Sequence, residues 1–222
     1  MEAKRIAAEK AADYIQDGMI VGLGTGSTAY WAIRKLGELV NNGLAITAVA
    51  TSVQSQSLAE ELGIRIIPFS AVQAIDLTID GADEVDRDWN LIKGGGGALL
   101  REKIVAASSK RLLIVVDESK IVSRLGQFRL PVEIVPFGHE LTVRKLGALG
   151  CDPKPRMVDH NRYVTDNGNN IVDCNFGMIE RPGELHNAIN AIPGVVDNGL
   201  FIGMTDKVIV GYRDGSVQEL RK

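Results

Sequence analysis

The chain has 222 residues, 45% of them hydrophobic and 24% charged, with a formal net charge of −3. That length suits one large domain or two small ones around a substantial core. The slightly acidic balance excludes, as an expectation, a nucleic-acid or anionic-membrane partner, so any anion needs a local site.

Residues 1–17 carry Ile6, Ala7, Tyr14 and Ile15 at helical spacing. The stretch lacks the basic n-region and continuous apolar core of a signal peptide. No apolar run reaches membrane-spanning length. Short buried strands are expected at "MIVGL" (19–23), "AITAVA" (45–50), "RIIPF" (65–69), "AIDLTID" (74–80) and "RLLIVVD" (111–117). Helices are expected at 27–40, 52–63 and 98–109, the first ended by "NNG" and the second at Gly63. Strands alternating with helices imply a doubly wound, mostly parallel α/β sheet covered on both faces. Ligands bind such sheets beyond the C-terminal strand ends.

The pattern changes near Leu130. A strand (130–136), a helix (138–150), short strands with an "NG" hairpin signal at 167–168, a helix (182–192) and a strand (194–202) follow. The order β-α-β-β-α-β predicts a smaller ferredoxin-like α+β lid domain. "DKVIVGY" (206–212) is one more strand, which would return to the first sheet. The expected domains are 1–129 with 204–222, catalytic, and 130–203, the lid. Cys151 and Cys174 form no Cys-x-x-Cys pair and have no histidine at metal-like spacing. They read as reduced structural thiols of a cytoplasmic protein.

Three stretches at strand ends carry possible chemistry. "VGLGTGSTAYW" is a strand–turn–helix that fails the dinucleotide spacing, because position 27 is Ser, and no acid ends the next strand. No lysine follows the glycines, as a nucleoside-triphosphate loop requires. What remains is a phosphate cradle of backbone N–H groups and the hydroxyls of Thr25, Ser27 and Thr28, or a tight turn with an ordinary cap.

"DGADEVD" places Asp80, Asp83, Glu84 and Asp86 just past a buried strand. It reads as a solvated acidic loop, as a carboxylate site for magnesium, or as acid–base machinery for a sugar; no register fits an EF-hand. In the last reading Lys93 neutralises charge on an oxygen. Gly94–Gly97 bring N–H groups to it, and Glu102 is held on the following helix. The plain alternatives are a surface Glu102 paired with a basic neighbour and a surface Lys120. Four glycines in a row are costly in backbone entropy, which favours a functional reading.

These motifs together resemble ribose-5-phosphate isomerase of the A type over nearly the whole chain. The carriers are "GLGTGSTA" (22–29), "TIDGADEVD" (78–86), "IKGGGGALLREKI" (92–104), "DESK" (117–120), "LPVEIVP" (130–136), "VTDNGN" (164–169) and "AINAIPGVVDNGLF" (188–201). The resemblance implies an aldose–ketose isomerase acting on ribose 5-phosphate and ribulose 5-phosphate, with no metal and no organic cofactor, as a dimer or tetramer. It places substrate binding on Thr25, Gly26, Ser27 and Thr28, on Asp80, Gly81, Ala82 and Asp83, and on Lys93, Gly94, Gly95 and Gly96. The general base falls on Glu102 and a further substrate lysine on Lys120. One departure is "GALL" at 97–100, where the family more often reads "AALT".

The chemistry so implied is removal of a proton beside a carbonyl. Glu102 serves both carbons, and Lys93 with glycine N–H groups stabilises the enediolate oxygen. Asp80 and Asp83 shuttle hydroxyl protons, and one of them assists ring opening. Thr25, Ser27, Thr28 and Lys120 bind hydroxyls and phosphate. Two other readings are an amino-sugar phosphate isomerase–deaminase and a non-catalytic sugar-phosphate sensor. The sensor would need the cradle but not Asp80, Asp83, Lys93 and Glu102 together.

Overall fold

The computed structural model describes residues 2–220. Met1, where the expected first helix began, and residues 221–222, the end of the expected catalytic domain, lie outside the described residues.

In chain order the elements begin with α1 (Glu2–Ala12), β1 (Ile20–Leu23), α2 (Ser27–Asn41), β2 (Thr47–Ala50), α3 (Val53–Glu61) and β3 (Arg65–Ile66). A 3-10 turn at Phe69–Ala71 precedes β4 (Leu77–Asp80), β5 (Glu84–Val85), β6 (Leu91–Ile92), α4 (Leu99–Ala107) and β7 (Leu112–Asp117). After a second 3-10 turn at Glu118–Lys120 come β8 (Leu130–Ile134), α5 (His139–Ala148), β9 (Asp152–Pro155), β10 (Met157–Val158), β11 (Asn161–Arg162) and β12 (Asn170–Asn175). The chain closes with α6 (Pro182–Asn190), β13 (Val195–Asn198), β14 (Leu200–Phe201), β15 (Lys207–Gly211) and β16 (Val217–Leu220).

The chain divides into two compact units. Among the described residues, the first comprises 2–82, 101–121 and 204–220, and the second 83–100 with 122–203. The boundary expected at residue 130 therefore differs: 83–100 and 122–129 group with the second unit. The reason is a small antiparallel sheet, β14-β6-β5, in which β6 pairs with β14 from more than a hundred residues further along the chain.

The first unit holds a seven-stranded sheet in the order β16-β15-β7-β4-β1-β2-β3. All its neighbours are parallel except the β15–β16 edge pair. Alternation along the strands sends Val21, Leu23, Leu77, Ile79, Leu113, Val115 and Ile209 to one face, under α1 and α2. Val49 and Ile75 point to the other, under Val105 of α4. The runs are hydrophobic on both faces because both are covered. The alanine stripe Ala7, Ala8, Ala11 and Ala12 lets α1 pack closely on α2, β7 and β15. Thus "DKVIVGY" does return to this sheet. Expected "RIIPF" shortens to two residues, because Pro68 cannot donate to a ladder and opens a 3-10 turn.

The chain runs outward through β1, β2 and β3, then restarts at β4 on the other side of β1. This is a switch point, and the crevice outside the C-terminal ends of β1 and β4 is where a ligand is expected. Asp76 pins the opposite end of this strand pair. Its carboxylate accepts from the Ile20 N–H at 2.9 Å and from Lys110 Nζ at 2.7 Å. The Lys110 charge and the Ile20 N–H hold this carboxyl below its ordinary value. A depressed folded-state pKa means stabilisation that is whole above the ordinary carboxylate range and lost as pH falls through the folded value. Asp76→Asn is expected to lower unfolding stability at pH 7 by at most about 1 kcal/mol, since Lys110 is largely exposed. Urea unfolding at pH 7 and at about pH 2.5 checks it. A deficit equally large in acid would contradict the assignment.

The second unit holds a four-stranded antiparallel sheet, β13-β8-β12-β9, with α5 and α6. Numbered within that sheet in chain order, the arrangement is 4-1-3-2, that of the ferredoxin-like domain read from the sequence. Its core joins Val132, Ile134, Leu146, Val172, Cys174 and Ile189. Expected strand 194–202 is two strands: β13 pairs with β8, and β14 leaves after Gly199 to pair with β6. Glu133 of β8 is fully buried, and its Oε1 accepts from Thr165, Asn167 and Asn169, which fixes the "TDNGN" turn. Neither cysteine is in a disulfide.

Candidate active site

In the first unit, the turn after β1 meets the end of β4. A Cβ on Gly24 would lie 2.1 Å from Asp80 Oδ1 and 2.6 Å from Asp80 Cα, so only glycine permits this approach. Asp80 is 1% exposed, and its Oδ1 accepts from the N–H groups of Thr25 (3.2 Å) and Gly81 (2.7 Å). The Thr25 hydroxyl is 2.7 Å from that of Thr51 and donates to Ser52 Oγ at 2.8 Å. Thr25 thus ties the β1 and β2 loops together through its side chain. Gly26, at φ +102°, precedes α2 with no capping side chain. The first-turn N–H groups and the positive helix end are therefore available to an anion beside Ser27 and Thr28.

One lysine lies at this helix end. Lys4 Nζ donates to Ser27 Oγ at 2.9 Å and lies 3.9 Å from Asp117. Burial pushes the Asp117 carboxyl up, but the Ser119 hydroxyl and N–H and the charges of Lys4 and Lys120 more than offset it and hold it low. Lys120 closes the 3-10 turn after β7. Lys4 was not among the expected site residues. Its signal was present: it precedes Ala7, Ala8 and Ala11 by three, four and seven residues, a cation in line with a buried stripe.

Glu102 lies in the first turn of α4 and is 4% exposed. Val105, three residues on, packs with Val49 and Ile75, so the same helix face meets the sheet. Ser109 bridges Ile75, and the Lys110 N–H donates to the Ile75 carbonyl. The far end of α4 is thereby fixed at the start of β4, and Glu102 lies toward the end where Asp80 sits. A carboxylate in a first helical turn is also favoured by the helix dipole.

In the second unit, β5 and β6 pair with Glu84 opposite Ile92, so Asp83 and Lys93 each directly adjoin this ladder. The Asp83 N–H donates to the Ile92 carbonyl at 2.8 Å, and the Lys93 N–H to that of Gly199 at 2.9 Å. Lys93 is 2% exposed, with Nζ 5.5 Å from the centre of the Phe201 ring. Asp83 Oδ2 accepts from the Gly95 N–H at 2.7 Å, and the Gly97 N–H goes to the Gly94 carbonyl at 3.0 Å. The N–H groups of this run thus differ, those of Gly95 and Gly97 being held within the protein. Those of Gly94 and Gly96 are the two with no hydrogen bond among the described residues.

The acidic run also divides. Glu84 is buried, and its two oxygens accept from the N–H groups of Gly126 (2.6 Å) and Phe128 (2.5 Å). Asp86 closes the β5–β6 turn by accepting from Asp88 and Asn90. These two acids are structural. Among the described residues, no group of three or more His, Cys, Asp or Glu could hold a metal ion.

Residues 47–215 match the family described as ribose 5-phosphate isomerase A (phosphoriboisomerase A). The chain is 57% identical to ribose-5-phosphate isomerase A of Bacillus thuringiensis subsp. konkukian, over 99% of this chain and all of that one. The chain belongs to the ribose-5-phosphate isomerase A family. The solved ribose 5-phosphate isomerase A of Methanocaldococcus jannaschii superposes with a TM-score of 0.93 at 40% identity, over 99% of this chain and 98% of that one. A D-ribose-5-phosphate isomerase in complex with phospho-erythronic acid superposes at 0.95 with 42% identity, over 99% and 97%. Membership of the ribose-5-phosphate isomerase A family disfavours the sensor and the amino-sugar deaminase. No helix among the described residues is long and apolar enough to cross a membrane.

Proposed function

We infer that the protein interconverts D-ribose 5-phosphate and D-ribulose 5-phosphate through an enediolate, in the non-oxidative part of pentose phosphate metabolism. The observation that carries this reading is Glu102: a carboxylate 4% exposed, fixed on α4, in a chain related end to end to isomerases.

Glu102 removes the proton from C2 of the open-chain aldose. The electron pair moves into a C1–C2 double bond, and negative charge collects on the C1 oxygen. Lys93 and the N–H groups of Gly94 and Gly96 stabilise that oxygen. Protonated Glu102 returns the proton to C1, while the C2 hydroxyl proton is relayed to the C1 oxygen through Asp80 or Asp83. One of these two acids assists ring opening, which moves a proton from the anomeric hydroxyl to the ring oxygen. The first turn of α2, with Ser27, Thr28, Lys4 and Lys120, takes the phosphate, and Thr25, Gly81 and Ala82 shape the surrounding backbone. The complex of a close structural relative with phospho-erythronic acid supports this chemistry. That molecule joins a phosphate to a carboxylate, a planar pair of oxygens like those of an enediolate.

The enzyme would act in the cytoplasm as a homodimer or homotetramer, without nucleic-acid or membrane partners. The deciding test is ribulose 5-phosphate formation from ribose 5-phosphate with EDTA present. Saturable turnover, unchanged by the chelator, is expected. Loss of activity that a divalent ion restores would overturn the metal-free mechanism, and absence of turnover the reaction itself.

A further inference from the structure

We propose that Arg156 is a positioning residue for the isomerisation, fixing the glycine run so that its free N–H groups and Asp83 face the reacting sugar. The proposal rests on the active-site reading above. All its parts lie in the second unit.

Arg156 follows β9, and its Nη1 donates to two successive carbonyls, Gly94 at 2.9 Å and Gly95 at 3.1 Å. Its other edge is a bidentate pair with Asp173 of β12, Nε to Oδ2 at 3.0 Å and Nη2 to Oδ1 at 2.5 Å. Both side chains are largely buried, 14% and 22% exposed. Tyr163, after β11, stands beside the guanidinium, 5.7 Å from ring centre to Cζ. Its hydroxyl reaches the Gly96 carbonyl at 3.4 Å. Burial raises the phenol above its ordinary value, which keeps the hydroxyl a donor.

Three consecutive carbonyls of the run are thus held from one side. A trans peptide is planar, and its N–H points away from its C=O. Fixing the Gly94 carbonyl therefore fixes the Gly95 N–H, which is the donor to Asp83. Fixing the Gly95 carbonyl fixes the Gly96 N–H, one of the two left for substrate. A run of glycines has the greatest backbone freedom of any sequence, and a donor acts in a transition state only when oriented beforehand. Gly97 completes the arrangement: at φ +82°, a Cβ there would lie 2.1 Å from the Tyr163 hydroxyl oxygen. Its bare backbone is what admits the tyrosine.

The test compares wild type with Arg156→Lys and Tyr163→Phe, measuring kcat, KM and thermal midpoint. Lysine keeps the charge opposite Asp173 but, as a single point donor, cannot hold two carbonyls and two carboxylate oxygens together. Arg156→Lys is expected to lower kcat at least about tenfold with KM within about threefold, as for lost preorganisation in a folded site. Tyr163→Phe, which removes one hydroxyl, is expected to lower kcat about two- to fivefold at unchanged KM and midpoint. It decides the matter if Arg156→Lys does not fold. Wild-type kcat in either folded variant, or a loss confined to KM, overturns the proposal. Lys93→Met in the same assay separates the two levels. If it is inactive while Arg156→Lys is normal, only the clamp fails; if it is fully active, the site reading fails and the clamp with it.

Discussion

Glu102→Gln is expected to lower kcat by about 10²–10⁴-fold, the usual contribution of a positioned acid–base group. Glutamine keeps the shape and one acceptor oxygen but has no proton affinity in the working pH range. Since Glu102 is nearly buried on a helix anchored by Val105, the fold should survive and KM should change little. Two measurements check this: initial rates in both directions, and exchange of the C2 proton with deuterated solvent. Both should fall together, because one group handles that proton. Activity within a few-fold of wild type in purified Glu102→Gln would remove Glu102 from the role.

Lys93→Met should cost about 10²–10³-fold in kcat, the loss typical of one transition-state donor. Methionine retains the apolar stem against Phe201 and removes only the charge. Because the negative charge on the C1 oxygen exists only after proton removal, the defect belongs mainly in kcat. A variant with normal kcat and raised KM would instead make Lys93 a ground-state binding group. Steady-state kinetics on ribose 5-phosphate distinguishes the two.

The parallel sheet was legible because strands such as β7 and β15 carry runs of apolar residues between amphipathic segments. "LLIVV" in β7 and the alanine stripe of α1 leave little choice. The ferredoxin-like order followed from the helix positions and the "NG" turn. The β14-β6-β5 sheet was not legible, since two-residue strands carry no periodicity and β14 lies over a hundred residues from its partner β6. That same sheet makes Glu84 an internal acceptor while its neighbour Asp83 faces the glycine run. Adjacent acids in one loop look alike until pairing assigns them opposite faces. The division of N–H groups within Gly94–Gly97 was equally hidden, because it depends on Asp83 from before the run and Arg156 from after it. Lys4 left a trace in its register with Ala7, Ala8 and Ala11, but the cradle it serves lies more than twenty residues away.

The place of β15 in the large sheet bears on how the chain is made. β15 pairs in parallel with β7 along residues 207–211 and brings β16 with it. During synthesis, β7 emerges some ninety residues earlier, its five leading residues all destined for burial. Until β15 leaves the ribosome, that strand is an open edge of bare N–H and C=O groups beside an apolar face. Such an edge is the kind that recruits other chains. The first domain begun is thus the last finished, and the whole second unit is available to fold in the interval. A ribosome that stops a dozen codons short of β16 would release a chain whose proposed site residues are all present and whose aggregation edge is uncovered.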